Sequence, residues 1–245
     1  MKIYTRKGDD GTTGLWYGGR RSKADVRIES YGAVDEACSA LGVARSLCDG
    51  SDPAHAEVAA DVLRLQNELF VAGAELATAP EASERLEDGV SRITPDMIDW
   101  LEQAIDRYMD RVELPPKFVI PGGSPLSAQL DLARATLRRA ERRIASLAGF
   151  GEPASEHLSG YVNRAADLVY AIACSSQSIM SGVIRLTPSS SRSDASGAVA
   201  SSAPATKSSF WSRRTSAATS AWAGSPASQP ARATPSAEQA SSTAP

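Results

Sequence analysis

The chain has 245 residues, a formal net charge of −3 and only two histidines. This slightly acidic balance disfavours a general nucleic-acid binder, which carries a basic surplus. No apolar run approaches the ~18 residues of a membrane span, and the opening MKIYTRKGDDG has no apolar signal core, so a cytoplasmic protein is expected. Composition then divides the chain. From about Leu186 to Pro245 it is almost entirely Ser, Ala, Thr and Pro, with Leu186 and Val199 as the only branched aliphatics. Such a segment buries too little apolar surface to offset the entropy of ordering. Residues 1–185 are therefore expected to form one folded domain, and 186–245 a low-complexity, disordered tail. The tail's composition equally resembles an out-of-frame reading of GC-rich coding sequence. Cys38, Cys48 and Cys174 are widely spaced without a CxxC, which points to packed, reduced thiols rather than a zinc site or a disulfide framework.

Residues 1–24 lack helical periodicity. Gly8, Gly11 and Gly14 permit tight turns that present successive N–H groups to one point. Thr5, Thr12 and Thr13 add hydroxyls, and Arg6, Lys7 and Lys23 add positive charge, so the segment suits phosphate oxygens without being a Walker A loop. Asp25 is placed to cap a first helix over 26–48, with Ile28, Tyr31, Val34, Ala37, Cys38, Leu41 and Ala44 at helical spacing. Asp35 and Glu36 interrupt it: one should face solvent, and the other should lie near the apolar face and need a cationic partner. After the break at Asp49–Pro53, a second helix over 54–78 carries Val58, Val62, Leu65, Leu69, Ala72 and Leu76, with Phe70 broadening the stripe and His55 at its start as a surface or capping residue. Residues 79–92 read as a loop. Thr94 and Pro95 open a third helix, marked by Ile98, Leu101, Ile105, Tyr108 and Val112 and ended by Pro115–Pro116.

Phe118 begins a short apolar run that turns through Pro121-Gly122-Gly123 into a fourth helix reaching about Leu147. Ser124 is its N-cap and Pro125 its first residue. Leu126, Leu130, Ala133, Leu137 and Ile144 form its apolar stripe, while Arg134, Arg138, Glu141 and Arg142 share an adjacent face. Guanidiniums beside a buried stripe are costly unless an anion meets them. Gly149 and Gly151 end this helix. A fifth, over 154–178, is apolar except for Asn163, Arg164 and Asp167. Five amphipathic helices and no useful strand pattern indicate an all-α, up-down bundle with an N-terminal phosphate-binding loop.

Several chemistries are excluded. The chain has no Glu-x-x-His, no His-Glu-x-x-His and no Gly-x-Ser-x-Gly, so neither a protein metal centre nor a hydrolytic nucleophile is indicated. A Gly/Thr/Lys loop and an Arg-striped helix remain, both suited to phosphate. Far apart in sequence, they need not meet within one chain. In a homo-oligomer the loop of one chain could reach the helix of its neighbour.

YTRKGDDGTTGL, YGAVDE, KFVIPGG, ARATLRRAER and YVNRAAD occur in this order. Together they closely resemble the trimeric, propanediol-utilisation (PduO) type of ATP:cob(I)alamin adenosyltransferase, over about Lys2 to Ala173. The resemblance implies a five-helix homotrimer with ATP and cobalamin meeting between subunits. It implies transfer of the 5′-deoxyadenosyl group of ATP to cob(I)alamin, assisted by Mg²⁺, with release of triphosphate. It places Thr5, Arg6, Lys7, Gly8, Asp9, Gly11, Thr13 and Lys23 around the triphosphate. Arg138, Arg139, Glu141, Arg142 and Asn163 would hold ATP, and Asp35 and Arg134 would form a salt bridge between subunits. Phe118 would displace the lower axial ligand of cobalt. A cob(II)alamin reductase and an adenosylcobalamin-dependent mutase are the implied partners. A helical module that binds adenosylcobalamin or ATP for delivery, without turnover, stays open as an alternative. The chain departs from the family's pattern at Cys174–Gln177 and in the tail, where relatives carry a short segment that helps cover the corrin.

Overall fold

In the computed structural model, residues 4–112 and 120–180 are described, the side chains of 177–180 excepted. Two strands, β1 (Thr12–Gly14) and β2 (Arg20–Ser22), form an antiparallel ribbon in which Thr13 pairs with Arg21. Five helices follow: α1 (Val26–Ser46), α2 (Pro53–Leu76), α3 (Pro95–Met109), α4 (Pro125–Ser146) and α5 (Glu156–Met180). Short 3-10 turns lie at Pro80–Arg85 and Leu147–Phe150. The ribbon was not expected. Its three-residue strands are too short to show alternation, and its turn rests on Gly18 and Gly19, both at positive φ (101° and 79°).

The helix starts follow local chemistry. The Asp25 carboxylate accepts the Arg27 N–H at 2.8 Å, and Asp52 accepts that of Ala54 at 2.8 Å. Ser124 and Ser127 exchange side-chain and backbone bonds in a capping box, with Pro125 at the first position. Between α1 and α2, His55 Nδ1 accepts the Asp49 N–H at 3.0 Å, so His55 does cap the turn at its helix's start. Gly151, at φ 76°, reverses the chain after α4 and lets the Glu152 N–H reach the Leu147 carbonyl at 3.1 Å.

The apolar stripes meet in one core. Leu41, Val62, Leu65, Leu101, Leu130, Leu137, Leu158, Tyr161, Leu168 and Ile172 are fully enclosed. α4 packs against α1 on one side and α5 on the other, α2 packs on α1, and α3 packs on α5. Phe70 does not broaden the α2 stripe. It is 69% exposed, because the residue after buried Leu69 lies about 100° further round the helix. Asp35 and Glu36 are both exposed, so neither lies near the apolar face, but Glu36 does have a cationic partner, Arg139 of α4.

Buried Arg27 is an unexpected internal cation. Its Nη1 donates to the carbonyls of Leu76 and Thr78, each at 3.1 Å, and its Nε donates to Glu152 at 2.7 Å. Arg21 Nη2 donates to the other Glu152 oxygen at 2.8 Å. Glu152's carboxyl is held below the ordinary carboxylate range, first by the bond from Arg27 and also by Arg21, with burial opposing. A depressed folded value contributes stability in full above the unfolded pKa, and that stability is lost as pH falls through the folded pKa. Thermal melts at stepped pH should therefore show Tm dropping below about pH 4, and Glu152→Gln should make that drop shallower. Parallel drops in both proteins would mean that Glu152 adds nothing to acid sensitivity.

Candidate active site

The N-terminal loop is set up by the ribbon. Thr5, Arg6, Lys7, Asp9 and Gly11 are exposed, and Gly8 and Thr13 are half-buried. Arg6 sits at φ 60°, a left-handed conformation unusual for a residue with a side chain. Asp9 N–H donates to the Arg6 carbonyl and Gly11 N–H to that of Gly8, each at 3.3 Å, which coils the segment into two tight turns. Lys23 closes the loop: its N–H donates to the Gly11 carbonyl at 2.9 Å. Its ammonium lies against Gly8, where a Cβ would stand 3.3 Å from Nζ and 3.1 Å from the Thr12 carbonyl oxygen. Glycine at position 8 thus admits the lysine to the loop. Arg20 stiffens the same loop by donating to the Thr12 hydroxyl (Nε, 2.9 Å) and to the Lys7 carbonyl.

A second group converges on the seam between α4 and α5. Arg138 Nη1 donates to Glu141 at 2.9 Å, and Nη2 bonds Asp167 of α5. The Asn163 amide donates to the other Glu141 oxygen at 2.6 Å. Arg164 donates to Asn163 Oδ1 at 2.9 Å and to Glu102 of α3 at 3.0 Å. Burial pushes the Asp167 carboxyl up, opposed mainly by the Arg138 cation beside it. Of the polar interruption in the sequence, Asn163 and Asp167, four apart, are thus the side of α5 that meets the arginine helix, while Arg164 turns to α3.

Arg139 belongs elsewhere. It pairs with Glu36 of α1, and Arg143 pairs with Glu29 at 3.2 Å. These residues, with Lys23, Ile28 and Gly32, line a groove of about 180 Å³ between α1 and α4. Adjacent residues on a helix diverge by about 100°, so Arg138 and Arg139 cannot serve the same spot from one stem direction. Through Lys23, the loop and the arginine helix do meet within one chain, on the α1 side of α4. Arg142 is exposed and, among the described residues, has no acidic partner at ion-pair distance.

Asp35 and Arg134 are not paired within the chain. Asp35 is exposed on α1, whereas Arg134 Nε lies 3.3 Å from Asp131 and its guanidinium is 5.9 Å from the centre of the Tyr170 ring. Phe118 lies outside the described residues. Among those residues, no group of three or more His, Cys, Asp or Glu is placed to hold a metal ion, and no helix is long and apolar enough to cross a membrane. Cys38, Cys48 and Cys174 form no disulfide, and burial raises all three thiols.

Sequence reading gave Asp167, Arg143, Glu29 and Arg20 no role. Arg139 and Arg143, four apart, and Glu29 and Glu36, seven apart, were each visible as helical pairs. Their opposition across α1 and α4 was not.

Residues 3–176 match the family model described as cobalamin adenosyltransferase. The chain belongs to the cobalamin adenosyltransferase family. It is 38% identical over 173 residues to the corrinoid adenosyltransferase of Bacillus subtilis, covering 71% of this chain and 85% of that one. It is 41% identical over 172 residues to the corrinoid adenosyltransferase of Citrobacter freundii, covering 70% and 93%. A solved structure of a variant PduO-type ATP:corrinoid adenosyltransferase from Lactobacillus reuteri, complexed with cobalamin and ATP, superposes with a TM-score of 0.66. It shares 31% identity and covers 77% of this chain and 97% of that chain. The motif resemblance and the helical bundle thus agree with an independent family match that spans the same region.

Proposed function

We infer that the chain transfers the 5′-deoxyadenosyl group of ATP to cob(I)alamin, forming adenosylcobalamin and releasing triphosphate. The observation that carries this reading onto particular residues is the meeting of Arg138, Glu141 and Asn163 on the α4–α5 seam, since these come from two separate motifs of the family resemblance. Cob(I)alamin is itself the nucleophile, so the protein supplies position and charge. The bond formed is Co–C5′, the bond broken is C5′–O, and its electron pair leaves with the triphosphate. The loop Thr5–Thr13 with Lys7 and Lys23 would receive the departing anion, and Arg138 and Arg142 on the α4–α5 seam of a neighbouring subunit would stabilise its growing charge. Mg²⁺ is read as arriving with ATP. With no cluster of protein ligands among the described residues, phosphate oxygens and water would supply most of its coordination.

The active unit is read as a homotrimer with sites at subunit interfaces. Asp35 is exposed and Arg134 has no α1 partner in its own chain, which suits a salt bridge between neighbouring subunits. The compartment is read as the cytoplasm, the domain as residues 1–185, and a cob(II)alamin reductase and a mutase as partners; residues 186–245 lie outside the described residues. Phe118 is assigned to the lower face of the corrin, where an apolar ring would exclude water and the dimethylbenzimidazole base and ease reduction of cobalt. Accordingly, Phe118→Ala should lose far more activity with cob(II)alamin plus reductant than with preformed cob(I)alamin. Equal losses in the two assays would remove that role.

The overall reading is tested by anaerobic incubation of the full chain with ATP, Mg²⁺ and chemically reduced cobalamin. The corrin spectrum should shift as triphosphate appears in equal amount. Binding of cobalamin without a shift would favour a delivery module instead.

A further inference from the structure

We propose that Glu152 is a positioning residue for the nucleotide loop, clamping the loop's ribbon to the helical bundle. The inference rests on the reading of that loop as the triphosphate site. Glu152 stands in the connection between α4 and α5, far in sequence from the loop, and its two oxygens are divided between two arginines. Oε1 accepts from Arg21 of β2 at 2.8 Å, and Oε2 accepts from Arg27 of α1 at 2.7 Å.

Each arginine is tied further. Arg21 Nη1 reaches Asp25 at 3.3 Å, and Asp25 caps α1 through the Arg27 N–H. Arg27 is buried and bonds the carbonyls at the end of α2. One carboxylate therefore joins the ribbon, the start of α1, the end of α2 and the approach to α5.

The link to the loop is short. Arg21 pairs with Thr13 in the ribbon, and two residues later Lys23 packs its ammonium on Gly8. The Trp16 N–H adds a second tie by donating to the Ala77 carbonyl at 2.9 Å, at the end of α2 that Arg27 also holds. The loop itself is exposed and has little core of its own, so its position relative to α4 depends on these ties. Glutamate is required for length and charge. Neutral glutamine could accept from only one of the two arginines, and its amide N–H₂ would face the other. Gly151 at φ 76° aims the residue, since the left-handed turn there brings position 152 back beneath the ribbon.

The test is calorimetric titration of the full chain with inorganic tripolyphosphate, paired with steady-state kinetics. Relative to wild type, Glu152→Gln should raise the Kd for tripolyphosphate and the KM for ATP roughly ten- to a hundredfold, the scale on which misplaced binding groups act. The KM for cobalamin and kcat at saturating ATP should change by less than about threefold, because loop placement acts on nucleotide capture. Glu152→Asp should recover part of the loss. Arg21→Met, which leaves the Arg27–Glu152 pair intact and so preserves the buried junction, should reproduce the loss in tripolyphosphate binding. Wild-type binding with an unchanged Kd in Arg21→Met and Glu152→Gln, even if Tm falls, overturns the positioning role and leaves a structural one. Failure of the wild type to bind tripolyphosphate overturns the loop reading itself and the inference with it.

Discussion

Arg138→Ala is expected to raise the KM for ATP by about ten- to a hundredfold, the loss of one charge-assisted bidentate contact worth roughly 1.5–3 kcal/mol. The side chain is already aimed. Glu141 holds one end of its guanidinium and Asp167 the other, and Asn163 fixes Glu141 in turn. Truncation removes the proposed phosphate ligand and also strips Asp167 of the cation that opposes its burial, so its carboxyl should take up a proton more readily. Arg138→Lys keeps the charge but loses the planar fork, and should fall between wild type and alanine. The measurement is initial rate against ATP at saturating cob(I)alamin. An unchanged KM for ATP in Arg138→Ala would remove the α4–α5 seam from the nucleotide site.

Arg27→Ala should be the most damaging single change to stability, costing about 3–5 kcal/mol, the range seen when one partner of a buried ion pair is deleted. Two backbone carbonyls at the end of α2 and a Glu152 oxygen lose their donor at once. For a folded unit of this size the Tm should drop by roughly 10 °C. Urea melts of Arg27→Ala, Glu152→Ala and the double variant resolve the coupling. The double variant should lose clearly less than the sum of the singles, because both single deletions break the same Arg27–Glu152 contact and each leaves the other group short of a partner, although Glu152 keeps Arg21. Strict additivity would mean that the pair is not a unit.

The arginines show how far the sequence carried. The α4 stripe was legible because residues three, four and seven apart share a helix face, and Leu126, Leu130, Ala133, Leu137 and Ile144 are indeed its buried side. The same rule located Arg138 and Glu141 together. It could not separate the tasks of Arg138 and Arg139, since each is decided by a different neighbouring helix. Arg27 was overlooked for a related reason. Read along α1 it is one more charged residue near a helix start, and only the arrival of Leu76, Thr78 and Glu152 from elsewhere makes it an internal cation. The ribbon escaped because three-residue strands carry no period, although Gly18-Gly19 marked the turn.

By itself, then, the sequence determined the helices, the Asp25 and Ser124 caps (Thr94 stands at the start of α3 without a side-chain capping bond), the stripes apart from Phe70, the loop's glycines and lysines, and the motif set that places the chain in its family. These are local properties, written in spacing and side-chain type. Only the tertiary structure decided which charges face one another: Arg138 with Asp167, Arg139 with Glu36, and Glu152 between Arg21 and Arg27. Pairing across elements depends on how helices pack, and packing is set by the whole apolar surface together rather than by any segment alone.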